Sequence, residues 1–227
     1  MIKDVISFDN PKSRAAEAFR TLRTNIQFSS FDDTLKTIVI TSSTPAEGKT
    51  TVLTNLAVTF AQSGSKVLIV DCDLRKPSIH KKLALSNSEG LTNILVQSKK
   101  IEECLKVTEQ QNLFVLTSGP TPPNPSELLG SKKMKNIIGE FEQIFDYILI
   151  DAPPLLAVTD AQVLSTISDG VILISSFGQT EKNAVVKSKD LLDKVGAKLL
   201  GVVLNKIPEK EDSYYYSKYY NYYGESE

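Results

Sequence analysis

The sequence predicts an α/β fold: a mostly parallel sheet with helices on both faces. Three observations predict it. Short apolar runs recur along the chain, apolar residues at helical spacing lie between them, and a glycine-containing turn joins the first run to a long amphipathic segment. Near the start, Phe19, Leu22 and Ile26 mark a helix with one apolar stripe. Residues 37–41 then form a short buried strand. Val52, Leu53, Leu56, Ala57 and Phe60 predict the next helix, Gly64 stops it, and residues 66–70 make a second strand ending at Asp71. Strand, helix and strand in that order form a βαβ unit. Apolar runs at 113–116, 147–150, 171–174 and 199–204 bring the expected strands to six. Met134, Ile137, Ile138, Phe141 and Ile144 predict a further helix, and the four prolines within residues 119–125 predict a constrained loop.

The chain has 227 residues, 41% of them hydrophobic, enough for one substantial core. A net charge of -1 and the lack of a basic run argue against a nucleic-acid surface. Cys72, Cys104 and the single histidine, His80, give no zinc or disulfide framework, which fits a reducing cytosol. The opening lacks the apolar core of a secretion signal, and no run approaches the roughly 18 apolar residues of a membrane span. A soluble chain is expected, held at a membrane only by something else. From residue 208 the aliphatic residues vanish. The sequence therefore divides into a domain over 1–207 and a tail over 208–227, expected to be mobile. The tail carries five acids, two lysines and seven of the eight tyrosines: Tyr214, Tyr215, Tyr216, Tyr219, Tyr220, Tyr222 and Tyr223.

The turn after the first strand reads S-S-T-P-A-E-G-K-T-T, residues 42–51. Gly48, Lys49 and Thr50 match the end of the phosphate-loop pattern G-x-x-x-x-G-K-[ST], while Ser43 replaces its first glycine and Ala46 stands where a glycine would ease the turn. The placement between an apolar strand and an amphipathic helix makes this a P-loop NTPase-like fold. Backbone amides of Ala46, Glu47, Gly48, Lys49, Thr50 and Thr51 would hold phosphate oxygens, Lys49 would neutralise the β and γ phosphates, and the Thr50 hydroxyl would ligate magnesium. Asp151, ending Y-I-L-I-D, stands where a metal-associated carboxylate faces the nucleotide. Asp71 and Asp73 in V-L-I-V-D-C-D-L-R-K-P point the same way, and two carboxylates in one cleft need a cation or a proton between them. Arg75 and Lys76 suit a phosphate, an acidic peptide or plain solvent.

These three motifs, the tyrosine cluster, S-G-P-T-P-P-N-P-S-E-L-L at 118–129 and L-G-V-V-L-N-K at 200–206 resemble the bacterial tyrosine kinases, or BY-kinases, of capsule and exopolysaccharide loci. The resemblance covers nearly the whole chain and implies ATP and Mg2+ as cofactors. It implies that Asp71 accepts the tyrosine proton, that Asp73 and Asp151 organise magnesium, and that Asn205 contacts adenine. It implies that Glu17, Arg20 and Arg23, which fit E-x-x-R-x-x-R, join subunits in a homo-oligomeric ring. On a helical wheel Glu17 and Arg20 lie opposite the apolar stripe and should stay exposed, and an internal i,i+3 ion pair is the other use of these residues. The tail tyrosines would be phosphorylated in trans, with the accumulated charge dispersing the ring and a protein-tyrosine phosphatase reversing it. The chain looks like the split, cytoplasmic form of the family. Such a form is recruited to the inner face of the membrane and activated by the cytoplasmic tail of a separate membrane protein, and it acts on other protein substrates as well. Two alternatives remain: a partitioning-type ATPase switch, whose signature lysine is replaced here by Thr44, and a nucleotide-dependent scaffold without kinase activity.

Overall fold

The computed structural model describes residues 4–29 and 35–208, so the tail tyrosines and the domain boundary at 208 fall at or beyond its limit. α1 (Ile6–Asp9) and α2 (Arg14–Phe28) come first, and Ser13 caps α2 by accepting a hydrogen bond from the Ala16 amide. β1 (Thr37–Ser42), α3 (Lys49–Gln62) and β2 (Val67–Asp71) are the expected βαβ unit. Gly64 turns the chain out of α3 in the left-handed region at φ 95°. The short helices α4 (Ile79–Lys82), α5 (Leu91–Gln97) and α6 (Ile101–Cys104) lead to β3 (Leu105–Val107) and β4 (Leu113–Leu116). α7 (Pro125–Leu129) and α8 (Lys132–Glu142) precede β5 (Tyr147–Asp151). α9 (Asp160–Ser165), β6 (Gly170–Ser176), α10 (Lys182–Lys194) and β7 (Leu199–Asn205) complete the described chain.

Among the described residues the strands form one seven-stranded sheet in the order β3-β4-β2-β5-β1-β6-β7. Every pairing is parallel except β3 with β4. Both faces are covered. Ile38 and Ile40 enter the core beneath α2 and α3, while Val39 between them enters the core on the opposite face; Val67 and Ile69 against Leu68 and Val70 repeat the split in β2. Removal of these side chains from water, worth about 1.5–3 kcal/mol each, is what holds the strands in register.

The structure corrects two expectations. Among the described residues there are seven strands rather than six, because β3 lies antiparallel on the sheet edge; with three residues, a lysine at its centre and no turn between it and α6, it has no periodic signal. α8 ends at Glu142, two residues short of Ile144, which lies half-exposed in the turn after it.

The register decides where chemistry can occur. Ile40 of β1 and Asp71 of β2 both pair with Asp151 of β5. Neighbouring strands lie about 4.8 Å apart, so Asp71 and Asp151 stand side by side at carboxyl ends of the sheet, next to the turn that leaves β1.

Candidate active site

The turn from β1 to α3 is built from a few constrained residues. Gly48 caps α3 at φ 95°, and a Cβ there would lie 2.2 Å from Asn205 Nδ2, so this position requires glycine on two counts. Ala46 also takes the left-handed conformation, at φ 64°, which costs a residue with a Cβ about 1–2 kcal/mol. Glu47 is almost fully buried, and its carboxylate accepts hydrogen bonds from Ser43 N (2.9 Å), Thr44 N (3.3 Å), Thr44 Oγ1 (2.9 Å) and Thr180 Oγ1 (2.5 Å). It thereby ties the first half of the loop to the β6–α10 turn. The end of β7 braces the second half: Asn205 Nδ2 donates to Glu47 O at 3.0 Å, and Lys206 Nζ donates to Ala46 O at 2.7 Å. Sequence reasoning gave Glu47 only a backbone role and missed Thr180, which is 133 positions away.

The first-turn amides of α3, from Lys49 onward, have no partners inside the helix and bring the positive end of its dipole to the cleft. Thr51 lies in that turn and is exposed. Lys49 Nζ reaches Asp73 Oδ2 at 3.2 Å, and Thr50 Oγ1 donates to Asp151 Oδ2 at 2.6 Å while contacting Ser78 Oγ at 2.8 Å. Asp71 Oδ2 accepts from Ile79 N at 3.2 Å, and Asp73 Oδ1 accepts from Lys76 N at 3.1 Å. The expected constellation of Lys49, Thr50, Asp71, Asp73 and Asp151 is therefore brought together.

Electrostatics explains what such a cluster needs. Burial, and after it the neighbouring Asp151, push the Asp71 carboxyl well above the usual carboxylate range. Burial likewise raises Asp151 to about 6, against the opposing effects of Lys49 and the Thr50 hydrogen bond. Burial disfavours the Lys49 ammonium, but the surrounding aspartates, Asp151 foremost, outweigh it and raise its pKa. Asp71 Oδ1 and Asp151 Oδ1 are buried with no hydrogen-bond partner. Two unsatisfied carboxylate oxygens at adjacent strand ends, beside a phosphate loop, fit a hard cation. Among the described residues no group of three or more His, Cys, Asp or Glu side chains could hold a metal. One or two carboxylates completed by phosphate oxygens is the donor set magnesium takes in nucleotide sites.

Other candidates have different surroundings. The guanidinium of Arg75 is engaged by Asp160, with Nε to Oδ2 at 2.9 Å and Nη2 to Oδ1 at 3.0 Å, and by Ser126 Oγ at 3.0 Å. It locks the segment after Asp73 onto α7 and α9. On α2, Arg20 Nε donates to Glu17 Oε2 at 2.7 Å, Arg20 Nη1 donates to Pro11 O at 2.8 Å, and Arg23 Nη1 donates to Thr59 O on α3 at 2.8 Å. Glu17 is exposed as expected, whereas Arg20 is half-buried against its own chain.

A phosphate loop on a strand-to-helix turn, facing strand-end aspartates across a doubly covered parallel sheet, defines a P-loop nucleotide-binding protein. A family model described as an AAA domain matches residues 35–197. The chain is 45% identical over 218 residues to tyrosine-protein kinase YwqD of Bacillus subtilis (strain 168), covering 95% of this chain and 92% of that protein. The crystal structure of the chimerical protein CapA2B2 superposes with a TM-score of 0.87 at 43% identity, over 90% of each chain. The septum site-determining protein MinD, complexed with Mg-ADP, from Pyrococcus horikoshii is more distant, with a TM-score of 0.64 at 27% identity over 78% of this chain and 75% of that one. The chain belongs to the bacterial tyrosine kinases. No helix among the described residues is long and apolar enough to cross a membrane.

Proposed function

We propose that the chain transfers the γ-phosphoryl group of ATP to the tyrosines at 214, 215, 216, 219, 220, 222 and 223 of a second copy, and that this modification regulates capsular or extracellular polysaccharide synthesis and export. The observation that carries the proposal is the buried pair Asp71 and Asp151, each with an unpartnered oxygen, beside the Lys49 phosphate loop. Asp71 accepts the phenolic proton as the tyrosine oxygen bonds to the γ phosphorus. The bond from that phosphorus to the bridging oxygen breaks, and ADP leaves with the electron pair. A phenol of pKa about 10 is protonated at neutral pH, so the transfer needs such an acceptor. Lys49 and the amides of Ala46, Glu47, Gly48, Lys49, Thr50 and Thr51 hold and neutralise the phosphates. Thr50, Asp73 and Asp151 would hold magnesium, which when bound neutralises phosphate charge. Asn205 braces the loop through Glu47 O and contacts adenine from the same strand end.

Glu17, Arg20 and Arg23 join copies into a ring in which a neighbour's tail reaches the site. The cytoplasmic tail of a membrane protein activates the ring and holds it at the inner face of the membrane, and a protein-tyrosine phosphatase resets the tail. Other protein substrates use the same cleft. The switch-ATPase alternative lacks its signature side chain: the Thr44 hydroxyl at that position is spent on Glu47. The trans mode is checked by mixing a donor truncated after residue 207 with a full-length Asp71→Ala acceptor. Phosphotyrosine on the acceptor is the expected result, and an unmodified acceptor beside a donor that consumes ATP would refute it.

A further inference from the structure

We infer that Lys76, Lys81 and Lys82 form a docking surface for the acidic residues flanking the tail tyrosines of a second copy of this chain. The inference rests on the proposed tyrosine transfer and adds how the acceptor is held. Lys76 and Lys81 are exposed and Lys82 is half-buried, and none has a side-chain hydrogen bond or ion pair among the described residues. Arg75, by contrast, is already satisfied by Asp160. Three cations within seven positions, none in an ion pair among the described residues, favour an anionic partner.

Their location selects that partner. Lys76 follows Asp73 and donates its backbone amide to that carboxylate, and α4 starts where Ile79 N meets Asp71 Oδ2. α4 has four residues and a length of about 6 Å, so Lys81 and Lys82 stand one short helix away from the proton acceptor. In the tail, Glu209, Glu211 and Asp212 precede Tyr214, and Glu225 and Glu227 follow Tyr223; the tail's two lysines are Lys210, among the first acids, and Lys218, among the tyrosines. Two extended residues span about 7 Å. A tyrosine at Asp71 near either end of the cluster therefore brings an acid within reach of these lysines. The charges therefore match: a lysine-bearing segment that starts beside Asp71 and Asp73, and an acidic group in the sequence on each side of the acceptor tyrosines.

The test uses the full chain and a fluorescein-labelled peptide of residues 208–227, with binding followed by anisotropy in Mg-ADP and transfer followed separately in Mg-ATP. The triple variant Lys76→Gln, Lys81→Gln, Lys82→Gln should bind the peptide about tenfold more weakly, three partly solvated ion pairs being lost. Replacing the five peptide acids by their amides should give the same loss with no further loss in the variant, and raising the salt should abolish the difference. An unchanged Kd, or an equal loss on the neutralised peptide, would overturn the inference. A raised KM for ATP in the variant would assign the lysines to the nucleotide instead. Lost binding to phosphatidylglycerol vesicles with peptide binding intact would assign them to a lipid surface. Lysine-dependent peptide binding without any transfer would uphold docking while refuting the kinase proposal, so the two failures are distinguishable.

Discussion

At Ala46 the backbone occupies φ 64°, a conformation for which glycine has no Cβ penalty, and the loop keeps its shape because other residues hold it there. Lys206 fixes the Ala46 carbonyl, and the Glu47 carboxylate gathers the amides of Ser43 and Thr44. Ala46→Gly should therefore stabilise the chain by about 0.5–1 kcal/mol, since relief of the left-handed strain is partly offset by the greater unfolded-state freedom of glycine. Chemical denaturation checks this, and a destabilised variant would show that the methyl group packs favourably. The placement of Gly48, Lys49 and Thr50 on a strand-to-helix turn was legible in the sequence because that motif is a local device. The spacing within V-D-C-D similarly announced two carboxylates in one cleft. The unpartnered oxygens of Asp71 and Asp151 were not legible, since they arise from strand register rather than from either residue's neighbours.

Among the elements, the β6–α10 turn is the one whose contribution only the folded chain reveals. Thr180 Oγ1 donates to Glu47 and accepts from Ser176 N at 2.8 Å, so one hydroxyl couples this turn to the phosphate loop. A hydrogen bond to a buried charge contributes roughly 1.5–3 kcal/mol. Thr180→Val should raise KM for ATP about tenfold with a smaller effect on kcat, and Thr180→Ser should restore the native value. Steady-state kinetics over ATP concentration measures both, and a native KM for the valine variant would count against the coupling. The long strands and α3 were predictable because apolar periodicity and a glycine stop agree. β3 and the end of α8 were not, because a three-residue edge strand and an isoleucine just beyond a helix are settled by tertiary packing.

Over the whole molecule, the buried aspartates link stability to pH and to the ligand. Asp151 has its pKa raised to about 6, and Asp71 is raised as well, so the folded chain holds these protons more tightly than the unfolded one does. Their contribution to stability is full below the unfolded value near 4 and is lost as pH rises through the folded values. In the absence of nucleotide and metal, moving from pH 7 to pH 5 should gain about 1 kcal/mol from Asp151 alone, or roughly 2–4 °C in Tm for a chain of this size. Asp71→Asn should raise the Tm at pH 7 and flatten this dependence, and calorimetry that finds the native chain more stable at pH 7 than at pH 5 would contradict the assignment. A cation beside Asp71 and Asp151 would relieve the same repulsion, so the pH dependence should shrink when calorimetry is repeated with Mg-ADP.

Tyrosine transfer is tested most directly by incubating the full chain with Mg-ATP and an activator tail, measuring its intact mass and mapping its peptides, beside Asp71→Ala. Phosphates confined to the tyrosines at 214–223 in the native chain and absent from the variant are the predicted result. ATP consumption with those tyrosines unmodified, or tail phosphorylation that persists in Asp71→Ala, would contradict it.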